Sequence, residues 1–310
     1  MVRVSSRRHR LTALLVVVTL VLVLKAVSRK PAALEVLVIG STTRPALLAV
    51  ARGFLATRVP THVFTEANTD ACVLCADRST WQDSSRYDTF GAAEGVRIWS
   101  NRPDGWWCAQ SRPSSALAAF LASRTSAQLP RFLLIVDDDT WVSLCRLQAL
   151  LQQVESGPQG RAALYLGFAG HQFRTVSGTP PPFCYGGAGY VLNAAALAAL
   201  AGPPPRGGGT SALGACNARK AGGRWCHYHS DWVIGQCLAE AANASCAWRE
   251  ARELFTQAAN DEAVDLDACR AAGRVTCHGK LTAADMARGY QAEGWRRMRR
   301  QRASSRDVFG

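Results

Sequence analysis

The apolar residues Phe132 to Val136 follow one another without a polar interruption. A strand with one solvent-exposed face would alternate apolar and polar residues, so this run predicts a strand that is buried on both faces. Leu34 to Ile39 and Thr61 to Thr65 are two further predicted strands, and Pro45 to Thr57 between them has helical spacing. The order strand, helix, strand predicts a parallel α/β sheet that binds ligands at the carboxyl ends of its strands.

The rest of the chain continues this alternation of helices and strands. The periodicity predicts helices over Ser114 to Ser123, Ser143 to Val154, Ala194 to Ala201 and Trp232 to Ala242, and a strand over Leu164 to Phe168. The second helix has a buried stripe of Leu144, Leu147, Leu150 and Leu151, and the fourth has an inner face of Val233, Cys237 and Leu238. Gly202 to Gly209 is a flexible connection rich in proline and glycine.

Three adjacent carboxylates, Asp137, Asp138 and Asp139, end the first apolar run. Burying an unpaired carboxylate is costly, so three in a row fit a strand end that opens into a cleft holding a cation. Carboxylates suit Mg²⁺ or Mn²⁺, and these ions in turn bind phosphate oxygens. The triplet therefore indicates a metal–diphosphate site, and a solvated acidic turn is the alternative.

Two other stretches have side chains or backbone suited to such a ligand. Arg44 follows the first predicted strand, where its guanidinium would lie beside a diphosphate, unless it is a solvated loop residue. The small residues around Gly186 and Gly187 let the backbone approach a ligand closely, although any tight turn has this composition. Asp231 stands just before a predicted helix, where an aspartate is usually an N-cap.

The amino-terminal stretch has the composition of a targeting or membrane segment. Four arginines lie within Met1 to Arg10, and Leu11 to Leu24 is uncharged and apolar. No small-residue cleavage site follows directly, and Lys25 can snorkel to extend the span through Val27. We expect a cytoplasmic tail over residues 1–10, an uncleaved signal anchor over 11–27 and a short stem over 28–33, with a cleaved signal peptide as the alternative.

The formal charge of +13 does not indicate a nucleic-acid-binding surface. Residues 1–30 hold seven Lys/Arg and no acid, and residues 296–310 hold six Arg and one acid. The folded body between them carries 23 basic and 22 acidic residues and is nearly neutral. We therefore expect no nucleic-acid partner, a folded domain over residues 34–295 and a basic tail over 296–310.

The cysteines and one glycosylation triplet favour an oxidising compartment. Eleven cysteines are many for a cytosolic enzyme, and Asn243-Ala244-Ser245 is an N-glycosylation acceptor. Cys72-x-x-Cys75 could form half of a zinc site, but no second Cys-x-x-Cys pair follows. Disulfides are the default expectation, and the odd count leaves at least one thiol free.

In combination, these segments resemble the Fringe-like β1,3-glycosyltransferases, which include the Fringe N-acetylglucosaminyltransferases and the core 1 galactosyltransferases. The resemblance runs from about residue 34 to 260 in family order. Its residues are Thr42-Thr43-Arg44, Phe64-Thr65-Glu66, Ser111-Arg112, Val136 to Val142, Phe183 to Leu192 and Asp231-Trp232-Val233-Ile234-Gly235.

The resemblance implies a role for each site residue. Arg44 and Asp138 fall where the family contacts the nucleotide sugar, as do the loop glycines Gly186 and Gly187. Asp139 falls on the family's Mn²⁺ ligand. Asp231 falls on the catalytic base, which outweighs the N-cap interpretation.

Two departures from the family pattern are visible. The family has a metal-binding histidine in a Phe-His-x-His context, where this chain has Leu254 to Ala258; His278 is a candidate substitute, although its own context resembles a later family segment. Fringes often join one cysteine before the Asp triplet to another after the glycine loop. Leu134 and Val191 stand at those positions, so both partners of that disulfide are replaced together.

The resemblance implies a GT-A-type α/β fold with a mainly parallel central sheet flanked by helices. It also implies a Golgi-membrane, single-pass type II enzyme that uses Mn²⁺ (or Mg²⁺) to transfer N-acetylglucosamine or galactose from a UDP-sugar to a glycan acceptor on a glycoprotein. Two hypotheses compete with it: a catalytically inactive Fringe-like glycan-binding protein or chaperone, and a secreted, disulfide-linked binding protein without a nucleotide site.

Overall fold

A computed structural model describes residues 33–68, 109–157, 162–168, 183–205, 211–221, 230–247, 254–257 and 263–306. The predicted anchor at 11–27 and the Cys72-x-x-Cys75 pair lie outside these ranges. Within the described residues, no helix combines the length and the apolar composition that crossing a membrane requires.

The described chain alternates eight strands and eight α-helices. The strands are β1 (Leu34–Ile39), β2 (Thr61–Phe64), β3 (Phe132–Asp137), β4 (Thr140–Val142), β5 (Tyr165–Gly167), β6 (Tyr190–Asn193), β7 (Phe255–Gln257) and β8 (Thr276–His278). The helices are α1 (Pro45–Ala56), α2 (Arg112–Ala122), α3 (Leu144–Ser156), α4 (Ala194–Ala201), α5 (Ala212–Ala221), α6 (Ser230–Ala242), α7 (Leu266–Ala271) and α8 (Ala283–Arg306). Single 3₁₀ turns occupy Glu66–Asn68 and Ser126–Gln128. The α/β prediction is confirmed.

The five-stranded central sheet has the order β2-β1-β3-β6-β5 and is mixed. β1 pairs in parallel with β2 and β3, whereas β6 is antiparallel to both β3 and β5. The sheet is therefore half parallel, where we expected mainly parallel pairing. The reversal has a structural consequence, because Tyr190 at the amino end of β6 pairs with Ile135 near the carboxyl end of β3. The glycine-rich turn before β6 thus lies at the same edge as the acid triplet.

Strand β3 is buried on both faces, as its uninterrupted apolar run predicts. Leu134 and Val136 belong to a core shared with α1, α3 and the carboxyl-terminal helix, whereas Leu133 and Ile135 belong to a core shared with α2, α4 and α6. Burying an aliphatic side chain of this size contributes roughly 1.5–3 kcal/mol, so the strand is a main source of stability.

The helices match their sequence periodicity. All four leucines of the predicted α3 stripe are buried, and α4 occupies the predicted Ala194–Ala201. Asn193 caps α4, because its side chain accepts a hydrogen bond from the backbone N–H of Ala196 at 2.9 Å. Pro45 occupies the first turn of α1, where its missing N–H costs nothing.

A second, smaller sheet of three short strands packs beside the first and was not predicted. Its order is β4-β8-β7, with β4 and β8 antiparallel and β7 and β8 parallel. Since only two residues separate the end of β3 from the start of β4, this sheet extends the site edge of the central sheet.

Helix α8 packs the end of the described chain onto the domain. The Tyr290 ring stacks on Phe54 of α1 with ring centroids 3.9 Å apart. The Glu293 carboxylate accepts hydrogen bonds from the Ser143 hydroxyl (3.1 Å) and the Cys145 backbone N–H (3.3 Å) at the start of α3. α8 therefore braces the helices that follow β1 and β4.

Candidate functional site

The acid triplet lies at the carboxyl end of β3, and Asp138 is its buried member. Asp138 is fully excluded from solvent. Its Oδ2 accepts a hydrogen bond from the Ser41 backbone N–H at 3.0 Å, and its Oδ1 lies 2.7 Å from Nη2 of Arg44. Asp138 therefore connects the ends of the two parallel neighbours β1 and β3.

Arg44 precedes α1, and its guanidinium bridges two carboxylates. Nη2 pairs with Asp138, and Nη1 donates to Oδ2 of Asp139. Burial alone would lower the pKa of Arg44, but the charges of Asp139 and Asp138 outweigh it and raise the pKa above its ordinary value. Arg44 and the triplet, each at the carboxyl end of a strand, thus meet at one sheet edge.

Glu66 fixes the loop that carries Arg44. Its Oε1 accepts hydrogen bonds from the Ser41 hydroxyl (2.8 Å), the Thr42 backbone N–H (3.0 Å) and the Thr42 hydroxyl (2.8 Å). Burial opposes ionisation, but these hydrogen bonds lower the pKa of Glu66 to about 2. Arg112 joins the cluster through Gly40 O at 2.8 Å and Glu66 Oε2 at 3.5 Å. Two of the segments that resemble the family, Thr42 to Arg44 and Phe64 to Glu66, are thus joined by hydrogen bonds.

His278 is the residue that the sequence prediction did not select. Nε2 of His278 lies 3.3 Å from Oδ1 of Asp139. Together with Asp137, these residues each offer one ligand atom within 4.8 Å of the others, an arrangement that could hold a metal ion. Two carboxylates and an imidazole suit a divalent first-row metal, and the donor chemistry therefore fits.

The strand register explains how His278 reaches the triplet. His278 pairs with Thr140 of β4 on one side and with Gln257 of β7 on the other. Gln257 lies in the segment where the resemblance implies a metal-binding histidine, so the imidazole comes from the neighbouring strand. His278, the candidate substitute named from the sequence, therefore lies beside Asp139.

The ionisation of the triplet depends strongly on nearby positive charge. Burial, followed by the charge of Asp139, raises the pKa of Asp137 to about 7, although His278 and Arg44 oppose this. Burial also raises the pKa of Asp138 to about 6 against the opposing charge of Arg44. Burial acts on Asp139 too, but the hydrogen bond and charge of His278 prevail and lower its pKa. At neutral pH Asp137 is therefore only partly ionised, and additional positive charge would favour its ionised form.

The glycine-rich turn is attached to the small sheet. The Thr140 hydroxyl donates to Gly187 O at 2.8 Å, and the Thr276 hydroxyl donates to Ala188 O at 2.6 Å. Gly189 has φ +78°, and a Cβ there would lie 2.7 Å from Cγ1 of Val136. Glycine is therefore required at 189 by the backbone and by β3.

Asp231 lies on the other side of this turn. It belongs to the first turn of α6, one residue inside the helix, and is 7% exposed. Its Oδ2 accepts the Gly186 backbone N–H at 2.9 Å, and its Oδ1 accepts the Trp232 backbone N–H at 2.9 Å. The turn therefore contacts Asp231 through Gly186 and contacts Thr140, which follows the triplet, through Gly187.

Within the described residues, three disulfides hold the elements around the site, which confirms the expectation of disulfide bonding. Cys184–Cys246 fixes the segment before the glycine turn, Cys216–Cys237 joins α5 to α6, and Cys269–Cys277 joins α7 to the strand of His278. Disulfides of this kind typically contribute about 2–4 kcal/mol. Among the described cysteines, Cys145 is exposed and unpaired.

Comparison of the chain with known proteins finds no matching family model and no matching curated protein.

Proposed function

We propose that the protein is a metal-dependent inverting β1,3-glycosyltransferase with a GT-A-type core. It would transfer N-acetylglucosamine or galactose from a UDP-sugar to a glycan acceptor on a glycoprotein, in the lumen of the Golgi. The observation that carries the proposal is the convergence of Arg44, the acid triplet and His278 at one sheet edge. A nucleotide diphosphate carries adjacent negative charges, and a guanidinium beside a metal-ligand group suits its binding.

The donor would bind between the loop after β1 and the glycine turn. The Arg44 guanidinium has donors arranged to meet two phosphate oxygens at once. Asp138 orients Arg44 and the Ser41 backbone through its two oxygens. Gly186 and Gly187 present bare backbone to the other side of the ligand, because no side chain stands in the way.

Asp139, Asp137 and His278 would hold the metal. A bound Mn²⁺ or Mg²⁺ supplies positive charge to the leaving diphosphate. The three side chains provide two hard oxygens and one nitrogen. Residues on β3, in the turn after it and on β8 therefore form a single ligand group, which the pairing of β4 with β8 holds together.

Asp231 would take the proton from the acceptor hydroxyl as that oxygen attacks the anomeric carbon. The new bond from oxygen to carbon forms as the bond to the diphosphate breaks, and the proton passes to the Asp231 carboxylate. One displacement inverts the anomeric centre and converts an α-linked donor into a β-linked product. The backbone N–H groups of Gly186 and Trp232 donate to the Asp231 carboxylate and fix its direction at the start of α6.

UDP release by the purified full chain in detergent tests the proposal. We expect one donor from a panel of UDP-sugars to release UDP in the presence of Mn²⁺, and EDTA to abolish the release. Asp139→Asn is the matched variant, because it removes a ligand charge while keeping the side-chain shape. UDP binding without turnover on any acceptor would favour the inactive-relative hypothesis. Absence of UDP binding would favour the secreted binding protein and refute the proposal.

A further inference from the structure

Asp139 has both of its oxygens engaged by protein cations or donors. Oδ1 faces Nε2 of His278 at 3.3 Å, and Oδ2 accepts from Nη1 of Arg44. The same carboxylate belongs to the group that could hold a metal ion. A metal at Asp139 and the Arg44 guanidinium would therefore be two cations on one carboxylate.

A free divalent ion entering this group would meet the positive charge of Arg44 at close range. If the guanidinium left Asp139, it would lose a charge-assisted hydrogen bond and gain only water in return. The entry of a metal ion alone is thus opposed both by charge repulsion and by the loss of the Arg44–Asp139 bond.

A diphosphate changes this balance, because it offers Arg44 another anion. The Arg44 side chain is 40% exposed and stands on the loop before α1, so it has room to turn toward a ligand while Asp138 still holds Nη2. Guanidinium groups bind phosphate oxygens in the same bidentate geometry that they use for carboxylates. Phosphate oxygens would therefore replace Asp139 as the partner of Nη1 and release Asp139.

We propose that Arg44 occupies Asp139 until a diphosphate draws it away, so that the site takes up metal and diphosphate together and binds the free metal ion weakly. This inference rests on the proposed metal–diphosphate site and adds the means by which its two ligands depend on each other. Because coupling between ligands is reciprocal, the diphosphate should raise metal affinity by the same factor by which the metal raises diphosphate affinity.

The test measures Mn²⁺ binding by the full chain in detergent, using the electron paramagnetic resonance signal of free Mn²⁺. Titrations are run without nucleotide, with UDP, with inorganic pyrophosphate and with uridine. We expect weak Mn²⁺ uptake alone, a rise with UDP and pyrophosphate, and no rise with uridine, since uridine offers Arg44 no anion. Coupling between two sites is typically about 5–150-fold, and the rise should fall in this range.

Arg44→Gln is the decisive variant. It removes the competing charge, so we expect it to bind free Mn²⁺ at least about fivefold more tightly than the wild-type chain and to show a smaller rise with UDP. Arg52→Gln is the matched control, because Arg52 is an exposed arginine on α1, the helix that follows Arg44. It should behave as wild type. Thermal unfolding of each variant identifies any general loss of folding.

The outcomes separate this inference from the proposed function. If UDP binding requires metal but Arg44→Gln binds free Mn²⁺ no more tightly than wild type, the site is real and the role of Arg44 is refuted. That role is refuted as well if Arg44→Lys, which keeps the charge, matches Arg44→Gln. If the wild-type chain binds Mn²⁺ neither alone nor with UDP, the proposed function and this inference are both refuted.

Discussion

Gln257 and His278 are direct partners in the parallel pair of β7 and β8. This places an imidazole one strand away from the segment where the resemblance implies a metal-binding histidine. His278 also pairs with Thr140, which follows Asp139 in the chain. Strand pairing in the small sheet therefore places the His278 imidazole beside the acid triplet, although Asp139 and His278 are far apart in the sequence.

Replacing His278 with Gln should weaken metal-dependent UDP binding. Mutation of a residue that only supports a metal ligand typically costs about 10–100-fold in metal affinity, and loss of a ligand should cost at least this much. Isothermal titration of the full chain with UDP in Mn²⁺ measures the effect, and Gln257→Ala is the neighbouring control. Asp139→Ala should remove the metal dependence altogether. Equal UDP affinity of the wild-type chain in Mn²⁺ and in EDTA would contradict the metal assignment.

The free energy of unfolding of the metal-free chain should fall as pH rises from about 4 to 7. Burial raises the pKa of Asp137 to about 7 and of Asp138 to about 6. An unfolded aspartate titrates near about 3.9, so in this window the folded state binds more protons than the unfolded state, and stability falls with rising pH. Asp139, whose pKa is lowered, contributes in the opposite direction.

Denaturant unfolding in EDTA at several pH values measures this slope. Asp137→Asn should remove a large part of it, because the variant has no proton to lose at this position. Saturating Mn²⁺ should reduce the slope as well, since it favours the ionised carboxylates. A variant with the same slope as the wild-type chain would show that Asp137 ionises normally.

The elements that could be predicted from sequence are those whose pattern is local and long. The apolar run of β3 and the leucine stripe of α3 determine both their type and their buried faces. β4, β7 and β8 have three residues each, which is too few to show a period, and their pairing depends on distant residues. The antiparallel direction of β6 is also invisible locally, because four residues show a strand but not its partner.

In the site, too, the residues with a clear local sequence signal could be predicted and those placed by distant pairing could not. Arg44 and the triplet were predicted to meet because both stand at carboxyl ends of predicted parallel strands, and pairing of β1 with β3 brings them together. His278 could be named only as a candidate substitute, since nothing in its local sequence places it beside Asp139. Asp231 was expected just before a helix, whereas α6 begins one residue earlier and the carboxylate bonds to Gly186 across the turn.

The expressed full chain should stay in the membrane after carbonate extraction. This follows if Leu11 to Val27 remains as an uncleaved anchor with the arginines of residues 1–10 on the cytoplasmic side. Detection of the intact amino terminus in the membrane pellet would show that the anchor is retained. A soluble form that begins near Lys30 would show that the segment is a cleaved signal peptide.

Asn243 should carry an N-linked glycan if the domain is lumenal. Asn243 is exposed at the end of α6 in a left-handed conformation with φ +50°, and Ser245 is exposed as well, so the acceptor side chain is accessible although Ala244 between them is buried. An endoglycosidase should increase the gel mobility of the wild-type chain and leave Asn243→Gln unchanged. An unshifted wild-type chain would argue against the lumenal placement.

Replacing Asp231 with Asn should abolish sugar transfer while leaving UDP affinity nearly unchanged. Loss of a general base typically costs about 10²–10⁴ in rate. The substitution also has a structural cost, because both carboxylate oxygens accept backbone N–H groups and an amide has only one acceptor oxygen. One N–H would then face the new NH₂ group, and an unsatisfied buried donor costs about 1–3 kcal/mol of stability.

Asp231→Glu separates the base from this structural role. Glutamate keeps a carboxylate that can take a proton but displaces it from the N–H groups of Gly186 and Trp232. If Asp231 is the base, Asp231→Glu should therefore retain more activity than Asp231→Asn. A purely structural cap predicts the reverse order, since Asn fits the original position better. Gly186→Ala controls for crowding of the carboxylate, because the added Cβ would stand 3.4 Å from Oδ2 of Asp231. Initial rates of UDP release, read together with thermal unfolding, decide between the two orders, and wild-type turnover by Asp231→Asn would leave Asp231 with the structural role alone.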